Sequence, residues 1–216
     1  NGEYEIPNTR RTVKDHDPHE LLSMDEVLMY SSNIGIVKLS DMLGKEKTYS
    51  SLRKFGLGSK TGIKLPGEEN GNIAKLESWS KTTHSAVSFG QELSITDLQL
   101  SMVYAAIANN GYLIHPYLGH SFQNGSSITQ IVRDSSESHR ICAVATIDKI
   151  KILLREVVIN GTGKGLNNLP FSVSGKTGTS VKNYGTNKDK EYQASFVGFF
   201  PSDSPKYTCI VLIDSP

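Results

Sequence analysis

Ser174-Gly175-Lys176-Thr177-Gly178-Thr179 sets a cation, hydroxyls and two glycines at the end of a predicted strand. Glycine at a strand edge lets a second extended backbone approach closely. Lys supplies charge and Thr a hydrogen-bond donor, a pairing suited to a carboxylate. A short motif of this kind also arises by accident, so its meaning depends on the chain around it. Working outward, Phe171 to Thr177, Tyr192 to Phe200 and Tyr207 to Ile213 read as three strands. The first two are joined by a polar stretch, Val181 to Glu191, and the last two by a Pro-containing turn, Pro201 to Lys206. No crossover helix separates them, so antiparallel pairing is expected.

Upstream of the strands the period is helical. Ser23-Met24-Asp25-Glu26 is a capping box that starts a short helix running to Tyr30. Ser31-Ser32-Asn33 interrupts it, because these side chains compete for backbone hydrogen bonds. A second helix follows with Ile34, Val37, Leu39 and Leu43 apolar, and stops at Gly44. A third covers Glu46 to Phe55. Thr96-Asp97-Leu98-Gln99 is another capping box, opening a strongly apolar helix closed by Asn110-Gly111. A further helix from Ile147 to Ile159, capped by Thr146, turns Ile150, Leu153, Leu154, Val157 and Val158 inward and ends at Gly161-Thr162-Gly163. Residues 1–22 and 59–93 read as irregular, 112–133 as a small hairpin turning at Asn124-Gly125, and 134–140 as a polar loop. The fold class is therefore α/β (α+β): one domain with a mostly helical part over about 12–111, the hairpin, the 146–160 helix and three antiparallel strands over 171–213.

Composition excludes several functions. Formal net charge is +1 over 216 residues, which gives no electrostatic case for nucleic acid. No stretch has the length and apolarity of a membrane span. Cys142 and Cys209 lie in apolar runs and read as buried free thiols. They and the histidines lack zinc-ligand spacing, so neither metal nor cofactor is expected. His84, His115, His120 and His139 carry no partner pattern and read as surface or packing residues.

The order of Ser31-x-Asn33 in a helix break and Lys176-Thr177-Gly178 on a later strand resembles the second and third motifs of penicillin-binding transpeptidases. Other blocks in the same order strengthen the resemblance: Tyr30 to Gly35, Phe55-Gly56-Leu57-Gly58, Thr61 to Glu68, Ser88-Phe89-Gly90-Gln91, Tyr104 to Gly111, and Ala194 to Pro201. Together they cover nearly the whole chain from Thr12. The chain is identified as resembling the class B penicillin-binding proteins, and Ser-Ser-Asn-x-Gly with Leu65-Pro66-Gly67-Glu68 resembles their division-type (septal) branch.

That resemblance implies a penicillin-recognising serine transpeptidase fold, acting on D-Ala-D-Ala stem peptides of peptidoglycan and inhibited by β-lactam antibiotics. It implies that the Ser31 hydroxyl relays a proton and that Asn33 holds the substrate amide. Lys176 supplies charge, and Thr177 and Thr179 bind the substrate carboxylate. Gly178 leaves room for substrate backbone, and the Thr179 amide is an oxyanion donor. It also implies divisome partners and a place on the extracytoplasmic face of the bacterial cytoplasmic membrane, held by an N-terminal anchor. A β-lactamase or β-lactam sensor of the same fold, and a non-catalytic peptide-binding relative, remain open. Glu68 and Glu92 are poor candidates for the deacylating base that a hydrolase needs.

The family's first motif, Ser-x-x-Lys, carries the nucleophile. Ser51-Leu52-Arg53-Lys54 has that spacing, but it follows Ser31-x-Asn33 where the family's motif precedes it. It is rejected. The nucleophile is expected upstream of Asn1, so the chain alone is expected neither to acylate nor to fold well.

Overall fold

A computed structural model of the chain describes residues 2–119, 121–130, 138–182 and 189–216. At the N-terminus, β1 (Glu3–Glu5) and β2 (Thr12–Lys14) form an antiparallel hairpin that aligns Tyr4 with Val13. Three residues a side are too few for alternation to show, and the irregular reading of residues 1–22 is corrected here. Burial explains the hairpin: Ile6 and Val13 pack on Val37, with Tyr4, Ile34 and Phe89 around them.

Helix α1 (Met24–Met29) begins with the expected capping box, in which Ser23 and Glu26 satisfy each other's backbone amides. The break at 30–32 is real. Ser31 has φ +60, and Ser32 caps α2 (Asn33–Leu43) by accepting from the Gly35 amide at 2.9 Å. Gly44 ends α2 at φ +88 and leads directly into α3 (Lys45–Lys54). Within the stretch expected to be irregular lies α4 (Lys81–Ser88), capped by Ser80. Its Ser, Thr and His content argues against a helix, and tertiary burial of His84, Ser85, Ala86 and Val87 overrides that propensity.

Helix α5 (Asp97–Ala108) opens on the Thr96/Gln99 capping box. Gln99 is fully buried, and its Nε2 also donates to the carbonyls of Ser59 (2.6 Å) and Asn70 (2.8 Å), tying two loops to the helix start. Most of α5 is half-buried rather than enclosed. Strand β3 (Tyr112–Leu113) does not belong to the expected 112–133 hairpin. That hairpin is β4 (Ser121–Asn124) with β5 (Ser127–Gln130), while β3 pairs with β6 (His139–Arg140), a pair of residues expected in a loop. Residues 134–137 of that loop and His120 lie outside the described residues.

Helix α6 (Val144–Ile159) starts ahead of the expected cap: Ala143, not Thr146, holds the N-cap position, without a side-chain cap. The three-stranded sheet is ordered β7 (Ser174–Val181), β8 (Tyr192–Phe200) and β9 (Tyr207–Asp214), antiparallel throughout. Its core contact is Phe199, packed with Ile107 of α5 and Ile147 and Leu154 of α6. The β7 boundary is corrected from 171–177 to 174–181, because Phe171, Ser172 and Val173 precede the ladder. The Lys-Thr-Gly triplet therefore sits inside the strand rather than at its end. Both cysteines are free, as expected, but Cys142 is half-buried and Cys209 exposed. On β9, Cys209 pairs with Gly198 of β8, which offers no side chain to cover it.

Candidate active site

Strand β7 pairs with β8 alone, so its other edge is unpaired among the described strands. Strand alternation puts Ser174, Lys176, Gly178 and Ser180 on one face. Gly175 has no room for a side chain: a Cβ there would lie 2.4 Å from the Phe196 ring and 2.5 Å from the Val197 carbonyl. This close approach lays β7 tightly on β8. Gly178 is different, because a Cβ would meet only the Ser195 hydroxyl, at 2.7 Å. The Gly178 face is open to a groove with a cavity volume of about 800 Å³, walled by Phe89–Asp97 on one side and by Gly178–Lys182, Gln193, Ser195 and Leu212 on the other.

Lys176 is half-buried. Its Nζ donates to the Thr177 carbonyl at 3.0 Å. Burial draws its pKa down from 10.5 to about 8, close to the range where an amine gives up its proton at neutral pH. The Thr177 hydroxyl lies 2.6 Å from the Thr162 hydroxyl, in the turn that follows α6. Gly178 and Thr179 are exposed.

Ser31 and Asn33 flank the α1–α2 junction. The Asn33 side-chain nitrogen donates to the Lys14 carbonyl at 3.0 Å. One residue on, the Asp15 carboxylate accepts from the Ser32 hydroxyl (2.7 Å) and the Ile34 amide (3.0 Å). The end of β2 thus clamps the Ser-x-Asn segment from outside. Among the described residues no hydrogen bond joins Ser31 to Lys176. Both motif segments instead pack against α6, α1 on one side and β7 on the other.

Sequence reasoning missed Asp15 and Thr162. Neither belongs to a local pattern, since each acts on a residue more than a dozen positions away. The rejected Ser51-x-x-Lys54 lies on α3 with both side chains exposed. Glu68 accepts from the Thr61 hydroxyl and amide, which hold its carboxyl below the usual range. Glu92 is paired with Arg11 at 2.9 Å. His84, expected at the surface or in packing, is a buried packing residue. Its Nε2 lies 2.8 Å from Ser40 Oγ and 3.1 Å from Thr48 Oγ1. Among the described residues no cluster of His, Cys, Asp or Glu could hold a metal ion.

Helices carrying Ser-x-Asn against an antiparallel sheet with Lys-Thr-Gly in its outer strand define the class, a penicillin-recognising transpeptidase fold. The family model described as "Penicillin binding protein transpeptidase domain" matches residues 3–216, and the chain belongs to that family. It is 32% identical over 217 residues to "Stage V sporulation protein D" of Bacillus subtilis (strain 168), covering 100% of the chain and 34% of that protein. It is 34% identical over 197 residues to "Penicillin-binding protein PbpB" of Mycobacterium tuberculosis, covering 86% of the chain and 29% of the relative. The chain thus spans about a third of the length of these relatives. The crystal structure of penicillin binding protein 3 from the same mycobacterium, complexed with aztreonam, superposes with a TM-score of 0.89 at 31% identity, over 100% of this chain and 50% of that one.

Proposed function

We propose that the chain is the substrate-binding part of a class B, division-type peptidoglycan D,D-transpeptidase. The protein carrying it is anchored in the bacterial cytoplasmic membrane, works on its outer face and assembles with other division proteins. The observation that carries this reading is the setting of Lys176-Thr177-Gly178 in the outer strand of the sheet. Burial lowers the pKa of the lysine there to about 8, so it stays mostly charged at neutral pH, and the triplet lies beside an open groove.

In the reaction, a serine from a Ser-x-x-Lys segment outside residues 1–216 attacks the D-Ala-D-Ala carbonyl. The C–O bond of an acyl-enzyme forms, the C–N bond breaks, and the terminal D-Ala leaves as an amine with the proton that Ser31 relays. An amine from a neighbouring stem peptide then attacks the ester, loses its own proton and releases the serine. Asn33 holds the substrate amide through its side-chain carbonyl, since its nitrogen is committed to Lys14. Thr177 and Thr179 donate to the substrate carboxylate, and Lys176 supplies charge beside it. The Thr179 amide stabilises the oxyanion, a role whose loss costs roughly 10²–10³ in rate. A β-lactam follows the first step alone: its ring opens and no leaving group departs.

The test is labelling by a fluorescent penicillin. The full gene product is expected to label covalently and slowly lose the label. Residues 1–216 alone are expected not to label. Labelling of residues 1–216 that disappears in Ser51→Ala would restore the rejected serine, and a full gene product that never labels would end the transpeptidase reading.

A further inference from the structure

The turn after α6 touches both motif segments with adjacent residues. Gly161 is buried against the end of α1: a Cβ there would lie 2.4 Å from the Met29 carbonyl and 2.9 Å from the Val157 backbone. Met29 is the last residue of α1, two positions before Ser31. Thr162, the next residue along, meets the Thr177 hydroxyl at 2.6 Å. The turn itself is held in place. The Gly161 amide donates to the Glu156 and Val157 carbonyls (both 3.1 Å) and the Gly163 amide to the Val157 carbonyl (2.9 Å). Behind them Leu154, Val157 and Val158 are buried.

From this geometry we infer that Gly161-Thr162 is a strut that sets the gap between the Ser31 segment and the Lys-Thr-Gly strand, with Thr162 a positioning residue for Thr177. At 2.6 Å either hydroxyl could donate; the strut works in the direction where Thr162 donates to Thr177 Oγ1, which leaves the Thr177 proton free to donate outward to a carboxylate. A hydroxyl that accepts one hydrogen bond is a better donor in the next, so the pair is stronger than Thr177 alone. Gly161 sets the distance: any side chain there pushes α1 away from α6, and Ser31 moves with it. The inference deepens the transpeptidase reading and rests on it for the substrate, though the strut itself does not.

The experiment uses the full gene product with Thr162→Val, Thr162→Ser, Thr177→Val and the double variant Thr162→Val/Thr177→Val. Pre-covalent binding and acylation by a carboxylate-bearing fluorescent penicillin are measured separately. Thr162→Val is expected to weaken binding about tenfold with little change in the acylation rate constant, and Thr162→Ser to stay near wild type. In a Thr177→Val background, Thr162→Val is expected to add nothing. Full additivity in the double variant would overturn the inference, because Thr162 would then act without Thr177. A second readout does not need acylation: the Thr177 and Gly178 backbone amide NMR shifts are expected to move in Thr162→Val and not in Thr162→Ser. Unmoved shifts also overturn the strut. Shifts that move in Thr162→Val while the wild-type protein never labels would count against the transpeptidase reading alone. Gly161→Ala, if folded by its melting transition, is expected to slow acylation at least tenfold, and unchanged kinetics there would refute its half of the strut.

Discussion

Lys176 shows how a proposed role in the site and stability pull apart at one residue. Its amine is half-buried and, among the described residues, donates only to a carbonyl oxygen. Burial therefore favours the neutral form and lowers the pKa from 10.5 to about 8. The unfolded chain holds its proton up to the ordinary value. Between about pH 8 and 10.5 the unfolded state binds more protons than the folded one, so this residue's contribution to stability rises with pH across that window. Below pH 8 the charged amine stays buried at a cost of roughly 3 kcal/mol. Lys176→Met is therefore expected to raise the urea midpoint at pH 7, with the gap to wild type closing as pH rises past 8. A gap that stays constant with pH would show that the amine is not desolvated. Asp15 works in the opposite sense. It holds the Ser32 hydroxyl and the Ile34 amide at once, so Asp15→Ala is expected to cost about 1–2 kcal/mol of stability by denaturant unfolding. Asp15→Asn, which keeps an acceptor, is expected to cost about half as much.

At the scale of elements, chemistry carried in neighbouring residues could be read from the sequence and chemistry assembled across the fold could not. Both capping boxes, the Ser31-Ser32-Asn33 break and the span of β8 follow from contiguous residues, and the structure places them as read. Helix α4 does not, because its Ser/Thr-rich sequence is held helical by what it packs against. The β3–β6 pair joins residues more than twenty-five apart, and no periodicity within either segment announces it. The same holds at the candidate site: the motif residues were legible, while Asp15 and Thr162, which hold them, were not. His84 is another such contact. From α4 it reaches Ser40 of α2 and Thr48 of α3, and Asp41 Oδ1 lies 3.6 Å from its Nδ1. Desolvation lowers its pKa below the ordinary 6.5. Lys45 acts in the same direction, while Asp41 and Glu46 oppose it. As pH falls below about 6.5 the unfolded chain takes up a proton that folded His84 resists, so stability is lost in that direction. The urea midpoint of wild type is expected to drop more steeply below pH 6.5 than that of His84→Gln. Parallel curves would mean that the ring is solvated.

For the whole molecule, the sheet decides behaviour in solution. Helices α5 and α6 cover its inner face around Phe199, while β9 exposes Tyr207 (62%), Val211 (54%) and Ile213 (54%) on the other face. Strand β9 pairs only with β8 among the described strands, so an apolar face and an unpaired edge coincide. Exposed apolar area of this kind marks an association surface, and an open edge supplies a template for further pairing. The two features predict that the isolated chain of residues 1–216 self-associates through β9 and binds an apolar dye. Light scattering is expected to rise with protein concentration. Val211→Lys with Ile213→Lys should suppress both scattering and dye fluorescence without lowering the helical circular dichroism, since both side chains already face water. Cys209 lies on this strand and is exposed, so it should react with a thiol reagent faster than half-buried Cys142 and be protected as association proceeds. Association that continues undiminished in the double-lysine variant, with Cys209 still fully reactive, would place the contact elsewhere on the molecule.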